Sequence, residues 1–261
     1  MAATAPARTP RAERSTGRRP ARRRWTRKYV PPQHGAWAML LVPYLVGLLV
    51  SRPSWVHIPL LVALLGGYLL TYYASLALKT RRISRVRDQL LLYGAVTVPA
   101  AVVVLVARPG LLVWAPAFVL VLAVNAFYSW RRDDRAVVND LVSVALGSLM
   151  LPVTAMAGGV RPGSLWPAFA LVLLYFAGTV FYVKTMIRQR GNRTYLWASA
   201  VFHAAAAVVA WLIAWPLGLL FAALFVRAVL APRYRLSPKQ IGLVEMGSSA
   251  ALLVLVPLFA L

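Results

Sequence analysis

Long apolar runs, separated by short polar breaks, fill the chain from residue 36 onward. They cover residues 36–50, 58–78, 89–107, 111–130, 141–160, 165–187, 195–214, 216–230 and 241–261. Most approach the roughly 20 residues that an α-helix needs to cross a hydrocarbon core about 30 Å thick. The pattern therefore predicts nine membrane-spanning helices, the first of them short and bent at Pro43. The breaks alternate in character. Residues 51–54, 108–110, 161–164 and the 215–216 corner are tight and rich in Pro, Gly and Ser, whereas 79–88, 131–140, 188–193 and 231–240 are longer and basic.

Composition agrees with the pattern. The 261 residues are 61% hydrophobic and only 13% charged, with a mean hydropathy of +0.69, too apolar for a domain with a wetted surface. The net charge of +23 would point to nucleic acid in a soluble protein, but its placement points to a membrane instead. Ten of the 29 basic residues fall in the first 28 positions, in an arm of Ala, Pro, Arg and Thr. That arm, residues 1–29, lacks the apolar content to offset ordering and is expected to be disordered, leaning on anionic lipid. Arg18-Arg19 runs into further arginines and then a full span, which does not make an export signal.

Assigning alternate loops to alternate faces puts 26 basic residues on the arm's side and only Arg52, Arg108 and Arg161 on the other. The positive-inside rule then predicts a bacterial cytoplasmic (inner) membrane protein with its N-terminus cytoplasmic and its C-terminus outside. The absence of cysteine excludes disulfides, thiolate metal sites and iron–sulfur clusters. His34, His57 and His203 are too scattered for a metal site, no phosphate-binding glycine loop or nucleophile elbow occurs, and no cofactor is expected.

The junction between arm and helices reads K-Y-V-P-P-Q-H-G-A-W-A-M-L-L-V-P-Y-L-V-G over residues 28–47. It resembles the opening of the YwiC-like family of bacterial integral membrane proteins. More distantly, Asn125-Ala126-Phe127-Tyr128-Ser129-Trp130-Arg131-Arg132, followed by Asn139-Asp140-Leu141 and Gly147, is similar to the fourth and fifth helices of UbiA-type intramembrane prenyltransferases. That resemblance implies an all-α, UbiA-like bundle of nine helices spanning residues 30–261. It also implies two aspartate-rich magnesium motifs, after the second and sixth helices. Here those ends read Tyr72-Tyr73-Ala74-Ser75-Leu76-Ala77-Leu78-Lys79-Thr80-Arg81-Arg82 and Phe181-Tyr182-Val183-Lys184-Thr185-Met186-Ile187-Arg188, with no carboxylate. Cationic ends repel a divalent metal, so no metal site is expected and enzymatic activity stays an open question.

Two of the four lysines repeat as Lys-Thr, at Lys79 and Lys184, each after an aromatic pair. They are either lysines snorkelling at helix ends or the cationic walls of a cytoplasm-facing pocket that binds an anionic headgroup without metal. Glu245, one turn inside the ninth helix, is either paired with an inner basic residue, Arg227 being the natural partner, or protonatable within a pocket. His203 reads as a hydrogen-bonding residue between packed helices. Asp140 reads as the N-cap of the fifth helix. Asn125 and Tyr128, three residues apart on one face, serve either packing or headgroup contact. His34 marks the helix start or the pocket rim. The leading expectation is a protein that binds an anionic or isoprenoid lipid, with Lys79, Arg82, Lys184 and Arg188 holding the headgroup. A divergent intramembrane transferase and a small-solute transporter are the alternatives; nucleic acid is excluded and the oligomeric state is left open.

Overall fold

The computed structural model describes residues 29–31 and 34–260, and within the first helix the side chains from Ala36 onward. Residues 1–28 of the predicted disordered arm and the His34 side chain lie outside the described residues. The chain divides into two units, Met1–Pro32 and Gln33–Leu261, and the second carries all the helices considered below.

In chain order these are α1 (His34–Leu49), α2 (His57–Thr80), α3 (Arg87–Ala107), α4 (Ala115–Trp130), α5 (Val137–Ser148), α6 (Met150–Ala157), α7 (Trp166–Ile187), α8 (Arg193–Ile213), α9 (Trp215–Leu230) and α10 (Pro238–Phe259). A 3₁₀ turn, Pro109–Trp114, leads into α4, and α5 and α6 together make one crossing-length segment, Val137–Ala157. Among the described residues eight segments are long and apolar enough to cross a membrane, and α1 makes a ninth, shorter apolar helix. Among the described residues a helix lies on each of the nine predicted runs, eight of them long and apolar enough to cross, and the protein is an all-α, multi-pass membrane protein.

The fifth span breaks at Leu149 because Pro152 has no N–H to offer the carbonyl one turn earlier. This broken segment is the centre of the bundle. Of its most apolar stretch 61% is buried, against 11% for α3 and 6% for the segment holding α4. Hydrophobicity alone does not make that distinction, since lipid is as apolar as the interior; close approach at small residues does. A Cβ added at Gly47 of α1 would meet Thr154 Cβ at 2.9 Å, and one at Gly147 of α5 would meet the Met39 carbonyl oxygen at 2.9 Å. α1 is thereby held against both halves of the broken span, backbone to backbone.

Helices α2, α3 and α4 pack on one side of this centre, and α7 to α10 on the other. The larger buried cluster joins α1, α5 and α6 to Leu165, the α7 residues Ala168, Leu171 and Tyr175, and Phe221, Leu224 and Leu252 from α9 and α10. α8 and α9 form a closely packed hairpin in which Gly218 lies against Trp211. One boundary differs from expectation. α5 begins at Val137, four residues earlier than the apolar run, with Ala136 at the cap position and no side-chain cap bond. Asp140 therefore sits in the first turn and is not the N-cap, because two valines and Asn139 extend the helix into the polar loop.

Candidate functional site

Among the described residues three polar features bear on a site, and the first gathers the two Lys-Thr ends. Lys79, closing α2, forms an ion pair with Asp134, while Lys184, near the end of α7, pairs with Asp140 at 2.8 Å and donates to the Arg135 carbonyl at 2.6 Å. Arg132 Nε donates to the Lys79 carbonyl at 3.1 Å, and Asn139 Nδ2 donates to the Asp134 carbonyl at 2.9 Å. Both lysines thus hold the same loop between α4 and α5. Their charges are matched by carboxylates, so what the two ends share is a clamp on a loop. Arg82 and Arg188 are exposed beyond it. Asn125 accepts from Ser143 Oγ at 3.3 Å, tying α4 to α5, and Tyr128 lies edge-on to Phe127.

The second feature is a groove of about 590 Å³ between α8 and α9, roofed by the loop from α7 to α8. Leu196, Trp197, Val201, Phe225 and Val229 form its apolar trough, and Arg190, Arg193 and Arg233 stand at its mouth. No carboxylate is among the lining residues. Local sequence explains the mouth. Gly191 takes a φ of 82°, a left-handed turn that a side chain would disfavour, and Asn192 caps α8 by accepting from the Thr194 and Tyr195 amides at 3.0 and 3.4 Å. The positive end of the α8 dipole then faces the same mouth as the arginines. Arg190 Nη2 donates to the Tyr234 carbonyl at 3.0 Å, fixing this loop to the one after α9. Trp197 and Val201 are also exposed on the bundle's flank, so the trough opens sideways.

The third feature is a polar seam where α7, α9 and α10 meet. Glu245 Oε1 accepts from Arg227 Nη1 at 2.5 Å, and its Oε2 accepts from Thr179 at 3.0 Å and Tyr175 at 3.4 Å. Arg227 also donates to Ser248 Oγ at 3.1 Å and lies 4.2 Å from the centre of the Tyr182 ring. The Tyr175 hydroxyl meets Ser249 Oγ at 2.9 Å. Of the two readings of Glu245, the paired one describes this geometry. His203 is buried on α8 with Nδ1 2.7 Å from its own helix's Ser199 carbonyl, and its ring fills the space beside Gly178 of α7. Its hydrogen bond is intrahelical, and its contact across helices is packing.

Sequence reasoning did not single out Arg190, Arg193 or Arg233 from the basic loops, nor Tyr175, Thr179 and Ser249 from apolar helices. Gly191-Asn192 between Arg190 and Arg193 was the available signal for the groove mouth, as a turn and cap flanked by charge. No group of three or more metal-ligating side chains occurs among the described residues.

Comparison with known proteins adds a lineage. A family model described as "YwiC-like protein" matches residues 30–155. An uncharacterized protein of Haemophilus influenzae is 31% identical over 231 residues, covering 85% of this chain and 94% of its own length. The uncharacterized protein YwiC of Bacillus subtilis is 34% identical over 176 residues, covering 67% of this chain and 73% of its own. No solved structure matches.

Proposed function

The chain belongs to the YwiC-like family, and from that premise we propose that it binds an anionic, lipid-tailed molecule at the cytoplasmic face of the bacterial inner membrane. The headgroup sits among Arg190, Arg193 and Arg233, and the tail lies along the trough between α8 and α9. The observation that carries this reading is the pairing of three arginines, free of carboxylates, with an apolar groove that opens sideways. Arginine suits a phosphate or carboxylate headgroup because its planar fork donates two parallel hydrogen bonds. Lys79 and Lys184 do not hold the headgroup in this reading, since Asp134 and Asp140 already neutralise them; they fix the neighbouring loop. The 26-to-3 division of basic residues supports a cytoplasmic location for the groove mouth.

Native mass spectrometry of the detergent-purified chain tests this. The wild type is expected to retain an anionic lipid, Arg193→Glu/Arg233→Glu to lose it, and Val201→Trp, which fills the trough and leaves every charge in place, to lose it as well. Retention by both variants would remove the groove from consideration.

A further inference from the structure

The groove makes no use of the seam between α7, α9 and α10: neither Arg227, Glu245, Tyr175 nor Tyr182 lines it. We propose that this seam is a separate oxyanion site, for a carboxylate or phosphate group, which takes up one proton for each monoanion it binds. In the bound state the anion replaces Glu245 as the partner of Arg227, and the proton resides on Glu245.

Spare donors mark where the anion sits. Among the described residues Arg227 Nε and the Tyr182 hydroxyl are both buried without a hydrogen-bond partner, and Tyr182 is fully enclosed. The guanidinium carbon lies 4.2 Å from the centre of the tyrosine ring, so the two residues that carry these groups are in contact. Buried donors of this kind call for an acceptor, and an oxyanion oxygen is one. Arginine only donates hydrogen bonds, so its spare N–H selects an acceptor over a cation.

Charge balance then fixes the proton count. The seam holds one positive charge, Arg227, and one negative, Glu245, on side chains only 13% and 15% exposed. The other titratable groups packed about it are Tyr175 and Tyr182 of α7 and His203 of α8, which lies within electrostatic reach of Arg227. α1, which also packs on α10, offers no charged side chain over residues 36–49. A monoanion arriving while Glu245 is ionised would set two negative charges against one positive in a region of low dielectric. A proton taken from water onto the Glu245 carboxylate breaks the ion pair with Arg227, frees the guanidinium and keeps the seam neutral. No other bond is made or broken. Glu245 lies seven residues from Pro238, about 10 Å along α10 from its start, and its side chain is not fully enclosed.

The experiment uses the full chain in nanodiscs of zwitterionic phosphatidylcholine and methanesulfonate, an oxyanion that keeps a single charge throughout. Calorimetry in buffers of different ionisation heat counts protons. The wild type is expected to take up about one proton per anion, and its affinity then falls about tenfold for each unit rise in pH. Glu245→Gln is expected to bind without uptake and with a flat pH profile, and His203→Gln to keep the wild-type slope. Nanodiscs containing phosphatidic acid distinguish the natural source: competition with methanesulfonate identifies a lipid headgroup, and its absence a soluble anion. Arg193→Glu, which disables the groove, leaves this binding intact if the two sites are separate. Absence of wild-type binding, binding without proton uptake, or uptake that survives in Glu245→Gln would overturn the proposal. The wild-type proton count decides it even if the glutamine variant fails to fold.

Discussion

At the scale of single residues, the buried pair of Arg227 and Glu245 is where sequence and structure agree most closely, and for a physical reason. A lone carboxylate inside an apolar run has to be neutralised, and the only basic residue within an adjacent apolar run was Arg227. The hydroxyls around them left no such trace. Tyr175, Thr179 and Ser249 carry no charge, and only the rotation of α7 and α10 about their axes brings them to the carboxylate. The pair makes a stability prediction that does not depend on ligand. Glu245→Ala leaves a guanidinium without its counter-charge and is expected to cost on the order of 3 kcal/mol. Arg227→Ala/Glu245→Ala removes both charges and should recover most of that loss, because no unpaired ion remains. A thermal-denaturation double-mutant cycle in detergent measures the difference. Additive losses would mean that the two side chains act independently.

At the scale of elements, nine apolar runs were legible because a bilayer imposes a minimum length that composition displays directly. What could not be read were the ends, since those are decided by loops. The α4–α5 loop is an example. Its apolar run starts at Leu141, yet the helix starts at Val137, and the earlier start turns Asp140 toward Lys184 rather than toward the helix's own amides. Periodicity carries no information about a partner 44 residues away. The two lysines that hold this loop are unequal: the side chain of Lys184 is 9% exposed, and that of Lys79 43%. Water screens the second pair far more than the first. Asp134→Asn is therefore expected to change stability by no more than about 1 kcal/mol, and Asp140→Asn by about 2–3 kcal/mol, since it strands a buried ammonium. The ordering of the two melting temperatures is the readout, and added salt should narrow only the Asp134→Asn difference.

At the scale of the whole molecule, lipid replaces water as the solvent of most side chains, so an exposed apolar surface is not a sign of missing partners. α3 and α4 are mostly unburied and still well formed, because their backbone polar groups are satisfied within each helix. What organises the molecule across the membrane is the distribution of charge. If the basic loops face the cytoplasm, the groove mouth with Arg190, Arg193 and Arg233 is cytoplasmic, and the turns bearing Arg52, Arg108 and Arg161 face outward. The chain lacks cysteine, so single cysteines report position without background. Ser84→Cys and Asp133→Cys lie in exposed basic loops, while Gly110→Cys and Gly163→Cys lie in opposite-face turns where an added side chain meets nothing within 4 Å. In right-side-out vesicles an impermeant maleimide is expected to label the two turn positions at once, and the two loop positions only after permeabilisation. The same four sites count crossings, since each neighbouring pair is separated by one span: α3, α4, or the broken segment of α5 and α6. Two adjacent sites labelled alike would mean that the span between them does not cross. A complete reversal would keep every crossing but move the arginine-lined mouth outside, and the lipid recognised there would have to come from the outer leaflet.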